Sequence, residues 1–339
     1  MAWAKADNGS EDPVVTAARH DLIIGIPEHF KLKWDGEYPG SATVFTQESV
    51  VEARDLRAKL LSLNPNVLLV AEIRAFQAPD NYLPPKSSWW ARGADGRPLR
   101  HGIWFQLDRH DAAFQAQAAR QCKAVLDAGV ADGCVFGPWS DDSDDLRLIK
   151  TVRAVVGGGA LLMAMVGEDP FPETAGFFNG AFFPPVGDLS KPEAWNRLDS
   201  AWSWTQGRLS EPKLVAAETV WPKSRNDREL MRLFTAFAMV HPNGYALFAD
   251  PGPPLAKRYH EHAWYPFWNK ALGRPNGPAR AQPDGAVVRD FERGSVVYNA
   301  IGNKAAAVRF DEKRRRATSG VKASSFSVAP GTGDMFLRL

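Results

Sequence analysis

Eight carboxylates stand at or just past the ends of short apolar runs: Glu28, Glu72, Asp108, Asp141, Asp142, Glu168, Glu218 and Asp250. Two carboxyl groups facing one bond can hydrolyse it: one protonates the leaving oxygen while the other attacks or activates water. A separation of about 5 Å suits direct attack, and about 6.5 to 9.5 Å leaves room for a water molecule. The chain carries 39 acidic residues, so composition alone puts some of them at such positions.

Glu218, Asp141 and Glu72 are the candidate catalytic groups. Glu218 follows Lys213-Leu-Val-Ala-Ala217 and precedes Val220-Trp221. A carboxyl beside an indole has its pKa raised toward general-acid range, although a Glu bonded to loop backbone would occupy the same place. Glu72 precedes Arg74 by two residues, a spacing that serves catalysis or a rim ion pair. Asp141 and Asp142 follow Gly137-Pro-Trp139 and precede a helical pattern, so each reads as a site carboxylate or as a helix cap. Arg74, Trp139, Trp221, Asp250, Asp108 and Trp90 are the candidate binding residues, the tryptophans as stacking faces and the polar groups as partners for hydroxyls. Asp250, before Pro-Gly-Pro-Pro254, could equally brace that turn.

Other chemistries find less support. No Gly-x-Ser-x-Gly elbow occurs, and Cys134 lies inside an apolar run, which disfavours a Ser or Cys nucleophile. His260-Glu-His262 is a weak metal pair without a third ligand, so no metal and no cofactor is expected.

Positioning these groups requires strand ends gathered at one mouth. Runs at 21–26, 66–71, 103–107, 134–136, 160–166, 176–183, 213–217 and 244–249 read as eight strands. Helical patterns follow most of them, at 46–63, 111–127, 143–156, 190–204, 225–240 and 260–272, and only a single turn fits before the sixth run. The count predicts a (β/α)8 TIM barrel over residues 1–282, with working side chains past the C-terminal strand ends. No glycine-rich phosphate loop follows the first strand, against a dinucleotide fold. A long loop, 76–101, carries Trp89 and Trp90. After Pro283 short strands at 287–291, 295–299, 305–310, 325–328 and 335–339 predict a small C-terminal antiparallel β-domain, 283–339, packed on the barrel.

Composition narrows the partners. Of the 339 residues 45% are hydrophobic and 24% charged, and the net charge of +2 gives no reason to expect nucleic acid. Arg314-Arg315-Arg316 reads as a solvated edge. No apolar run of about 18 residues occurs, so no membrane span is expected. The first twenty residues lack an apolar signal segment, which fits a cytoplasmic protein or one numbered after signal removal. Cys122 and Cys134 exclude a disulfide framework and read as small buried hydrophobes. Twelve tryptophans and 19 phenylalanines are the informative excess: core packing explains some of them, and aromatic platforms for a ligand with apolar faces would explain the remainder.

The runs His20-Asp-Leu-Ile-Ile-Gly25, Ala71-Glu-Ile-Arg74, Trp264-Tyr-Pro-Phe-Trp-Asn-Lys270 and Phe291-Glu-Arg-Gly-Ser-Val-Val-Tyr-Asn299 resemble the barrel proteins catalogued as hypothetical glycosyl hydrolase family 15. The resemblance covers nearly the whole chain and implies a (β/α)8 barrel, a carbohydrate substrate and glycosidase activity. Such barrels usually carry an Asp at the end of strand four and an acidic residue at the end of strand six. Here Gly137 and Pro184-Pro185 stand at those places. The alternative expectation is therefore a carbohydrate-binding barrel that has lost its chemistry; a metal-dependent hydrolase or lyase on the same barrel is a third.

Overall fold

The structure is a computed structural model that describes residues 1–3, 12–186, 189, 191–220, 226–250 and 262–339. Its main sheet has eight strands: β1 (Ala2–Trp3), β2 (Leu22–Gly25), β3 (Leu68–Glu72), β7 (Gly133–Trp139), β8 (Leu161–Val166), β9 (Gly180–Val186), β10 (Leu214–Val220) and β11 (Gly244–Ala249), neighbours in that order. The intervening helices are α1 (Pro13–Ala18), α2 (Gln47–Leu63), α3 (Ala112–Asp127), α4 (Ser143–Val156), α5 (Pro192–Arg208) and α6 (Arg228–Val240). This is a (β/α)8 barrel. As the proline-containing spacing predicts, only a single 3-10 turn, Ala175–Phe177, lies between β8 and β9.

Several elements differ from expectation. The run 103–107 is not a barrel strand: β6 (Trp104–Gln106) pairs with β4 (Gln77–Ala78) and β5 (Arg100–His101) in a separate three-stranded antiparallel sheet inserted between β3 and α3. The supposed loop 76–101 is thus built structure, folded over Ala78, Tyr82, Leu83, Trp90, Leu107 and Phe114. Barrel strand one is instead Ala2–Trp3, two residues parallel to β2 and too short to show periodicity. The predicted helix 260–272 falls partly outside the described residues; within 262–272 only a 3-10 turn, Pro266–Asn269, forms.

Local sequence chemistry explains the helix ends. Thr46 and Asp111 cap α2 and α3, the Asp111 carboxylate accepting from the Ala113 and Phe114 backbone N–H groups at 2.7 and 3.2 Å. Gly129, at φ 67°, turns the chain after α3 in the left-handed conformation that glycine tolerates.

Cys122 on α3 and Cys134 on β7 are wholly buried and joined as a disulfide, contrary to the expectation of free thiols. Twelve residues apart, they are brought to a Cα separation of 6.0 Å by the helix-to-strand return, which lies within disulfide geometry.

Two compact units divide the chain: Met1–Phe182 with Trp204–Pro212, and Phe183–Ser203 with Lys213–Leu339. The second holds the antiparallel sheet β12 (Arg280–Ala281), β13 (Val287–Phe291), β14 (Gly294–Asn299), β17 (Thr332–Arg338), β15 (Ala306–Arg316) and β16 (Lys322–Val328), in that order. Its core is Ala286, Val288, Val297, Ala306, Val308, Phe326, Val328 and Phe336. The sheet lies against α6 within the same unit: a Cβ on Gly333 would stand 2.3 Å from Ala236 Cβ, and Arg289 donates to the Met239 and His241 carbonyls.

The arginine run is not a solvated edge. β15 continues past an irregularity between Arg309 and Arg314, burying Arg314 and turning Arg316 onto the buried Asp334 at 2.6 Å.

Candidate active site

The C-terminal ends of β2 and β3 open into a cavity of about 350 Å³ within the first unit, in the size range of small-ligand pockets. Glu28, Trp34, Glu72, Arg74, Asn81, Tyr82 and Gln121 line it, with Ile26, Pro27, Pro39, Ile73 and Pro79 as apolar wall. Glu72 is the last residue of β3 and Arg74 lies two residues on, so both side chains leave the strand end on one side. Their charged atoms stand 3.8 Å apart, with Arg74 17% and Glu72 20% exposed. That is an ion pair but not a hydrogen bond. Among the described residues no acceptor takes a hydrogen bond from the Arg74 guanidinium, whose other neighbour is the Trp104 ring, 5.0 Å away at its centroid.

The cavity floor is rigid because its polar groups are spent on the protein. The Tyr82 hydroxyl donates to Gln121 Oε1 at 2.9 Å. Burial pushes the Tyr82 phenol well above its ordinary range, and the Glu28 and Glu72 carboxylates add to the shift while Arg74 opposes it; the group stays a neutral donor. Gln121 Nε2 donates to the Pro39 and Ala42 carbonyls at 2.7 and 3.1 Å, and Gln117 Nε2 to Ala42 and Gly40 at 2.8 and 3.2 Å. Two buried glutamines one helical turn apart thus pin the 39–42 segment. Gly40 has to be glycine, since a Cβ there would fall 2.6 Å from the Tyr82 ring. Trp34 is stacked on Phe45, centroids 3.9 Å apart, and its indole N–H has no partner among the described residues.

The end of β7 is arranged differently. A Cβ on Gly137 would sit 2.2 Å from Met165 Cβ and 3.0 Å from the Met165 carbonyl oxygen on β8, so this position admits no side chain. The aspartate expected at the end of strand four would have no room here. Asp141, at φ 64°, accepts from the Glu173 N–H at 3.0 Å and the Thr174 hydroxyl at 2.5 Å, bracing the turn before β9. Trp139 is buried, with Phe76 and Phe178 edge-on and its N–H donated to Thr174 at 2.8 Å. Asp142 caps α4, accepting from the Asp144 and Asp145 N–H groups at 2.9 Å. Arg109 reaches Asp142 at 3.0 Å and also the fully buried Asp145, whose carboxyl burial pushes above its usual range.

The remaining predicted residues do not line this cavity. Asp108 accepts from the His110 N–H at 3.0 Å in a local turn. Trp90 is buried in the insert core, its N–H donated to the Pro84 carbonyl at 3.0 Å. In the second unit, Glu218 lies inside β10 opposite Leu247, fully buried, because the strand runs on to Val220. Asp250 follows β11 and is 7% exposed. Trp221, His260 and Glu261 lie outside the described residues. Among the described residues no group of three His, Cys, Asp or Glu side chains could hold a metal ion, and no helix is long and apolar enough to cross a membrane.

Sequence reasoning singled out Glu28, Glu72 and Arg74, which line this cavity, but missed Tyr82 and Gln121 as its walls. One signal was available: Gln117 and Gln121 repeat on the apolar face of an alanine-rich helix, where a buried amide has to find backbone partners.

No protein-family model matches the chain, and no curated protein does. Solved structures do. A maltogenic α-amylase from Thermotoga neapolitana is 11% identical with a TM-score of 0.56, covering 100% of this chain and 98% of its own. An α-amylase from Geobacillus thermoleovorans is 11% identical with a TM-score of 0.59, over 96% and 90%. A cyclic α-maltosyl-(1→6)-maltose hydrolase from Arthrobacter globiformis is 11% identical with a TM-score of 0.56, over 95% and 87%. At this identity the likeness is one of fold: these enzymes share the TIM-barrel architecture of this chain. It does not reach the narrower family named in the sequence analysis.

Proposed function

We propose that the protein is a glycoside hydrolase acting on an oligosaccharide. The cavity at the ends of β2 and β3 takes a sugar ring, and Glu72 and Glu28 are the carboxyl pair. The observation that carries this reading is the unspent polar capacity of the cavity wall. Arg74 and Trp34 line the cavity and, among the described residues, neither the guanidinium nor the indole N–H donates a hydrogen bond, whereas Tyr82 and Gln121 on its floor are saturated internally. A sugar presents this combination of needs, an apolar ring face beside a rim of hydroxyls that both donate and accept. The amylase-type fold supports the same class of ligand, because barrels of this kind work at their C-terminal strand ends.

In this reading one carboxyl protonates the glycosidic oxygen and the other attacks or activates water. Arg74 binds hydroxyls and holds Glu72 in place. The test is turnover on a panel of oligosaccharides, followed by new reducing ends. Glu72→Gln is expected to lower kcat by about 10²- to 10⁴-fold with an unchanged melting temperature. Full activity in that variant would overturn the assignment.

A second reading is a barrel that binds sugar without cleaving it. It is favoured by Gly137, where no carboxylate fits, and by Asp141, whose carboxylate is engaged by Glu173 and Thr174. Saturable glycan binding by calorimetry with no product on long incubation would decide for it, and multiple turnover against it.

A further inference from the structure

The cavity is not the whole binding surface. β6 alternates its side chains across the inserted sheet. Phe105 faces the insert core, 5.6 Å from Trp90, so Trp104 and Gln106 face the other way. There Trp104 is half-buried, with no ring partner and no hydrogen bond to its indole N–H among the described residues. Trp90 and Trp139, by contrast, have their rings packed and their N–H groups donated. Arg74 lies 5.0 Å from the Trp104 centroid and also lines the cavity, so the indole stands beside the cavity across one guanidinium.

We infer that Trp104 and Arg74 form a second sugar-binding subsite next to the cavity, so that the ligand has at least two rings. This rests on the function proposed above. One ring occupies the cavity between Glu28, Glu72 and Trp34; the next lays its apolar face on the indole and shares Arg74 through a hydroxyl. Arg74 is then the hinge between subsites, which accounts for its lack of a protein acceptor.

The experiment compares wild type, Trp104→Ala and Trp104→Tyr on an array of neutral mono- to tetrasaccharides, with affinities of the hits measured by calorimetry. Wild type is expected to gain about tenfold in affinity from the preferred monosaccharide to its disaccharide, the size of one good aromatic contact. Trp104→Ala should lose that gain, and Trp104→Tyr, which keeps a ring, should retain most of it. Using the length increment separates the subsite from any shift of Arg74 that alters cavity binding itself. An undiminished increment in Trp104→Ala overturns the subsite and leaves the cavity reading standing. Failure of wild type to bind any saccharide overturns both.

Discussion

Substituting alanine for Gly137 tests whether the absence of a strand-four carboxylate is imposed by packing. The added Cβ would lie 2.2 Å from Met165 Cβ, 3.0 Å from its carbonyl oxygen and 3.1 Å from its Cα. Two of these atoms are backbone of the neighbouring strand, so relief requires β7 and β8 to part. Overpacking of this kind costs about 1 to 3 kcal/mol, and backbone contact places Gly137→Ala at the upper end, about 3 kcal/mol. A chain of this size loses about 2 °C per kcal/mol, which predicts a fall in melting temperature of about 6 °C. Gly167→Ala is the control. It follows β8, and its Cβ would meet nothing within 4 Å, so it should be neutral or slightly stabilising. Met165→Gly removes the nearest obstructing atom. The double variant should therefore be more stable than the sum of the single changes by about 1 kcal/mol, a coupling read from a double-mutant cycle in urea. If Gly137→Ala melts within a degree of wild type, or if Gly167→Ala falls as far, the steric account is wrong, and an aspartate at position 137 would be structurally admissible.

Two further predictions concern stability. The Cys122–Cys134 bridge closes a short loop and should contribute about 3 kcal/mol; Cys122→Ala/Cys134→Ala should unfold at lower urea, and thiol labelling of unreduced, unfolded wild type should find no free thiol. Two labelled thiols would refute the bridge. For pH, burial acts against the Asp290 carboxylate, but the Ser295 hydroxyl and Arg280, both at 2.7 Å, hold its pKa below the ordinary value. A lowered folded pKa gives stability that is complete above the unfolded value of about 4 and is lost as pH falls through the folded one. Asp290→Asn should accordingly flatten the acid limb of melting temperature against pH below about 4 and leave an offset near neutrality. An acid limb as steep as that of wild type would contradict the assignment.

Much of the barrel was legible because buried parallel strands are short apolar runs with punctuation on both sides, and Leu161–Val166 or Gly133–Trp139 can hardly be anything else. The same signature misled at 103–107, since a hairpin strand over a small core is also apolar and short; only pairing partners separate the two. Ala2–Trp3 carries too few residues for any pattern. At the site, Glu72 and Arg74 were visible from their place at a strand end. The burial of Trp139 and Trp90 was not, because whether an indole faces ligand or core depends on Phe178 and Phe105, which arrive from distant parts of the chain. Nor could sequence tell that Asp141 spends its carboxylate on Thr174, a contact that requires the left-handed turn at Asp141 itself.

The inserted sheet between β3 and α3 leaves and rejoins the barrel at almost one point: the Leu107 N–H donates to the Phe76 carbonyl at 2.9 Å, so its two ends are tied together. It also brings its own core, from Ala78 to Leu107, closed below by Phe114 of α3. Tyr82 and Trp104 tie the two ends of the segment to the cavity, but the hairpin between them, with clasped ends and a core of its own, can change length without unsettling the strands beneath it. Drift across lineages should therefore accumulate in residues 91–103 while Tyr82, Trp90, β3 and α3 hold still, and changing that hairpin is a short route to a new selectivity on an old frame.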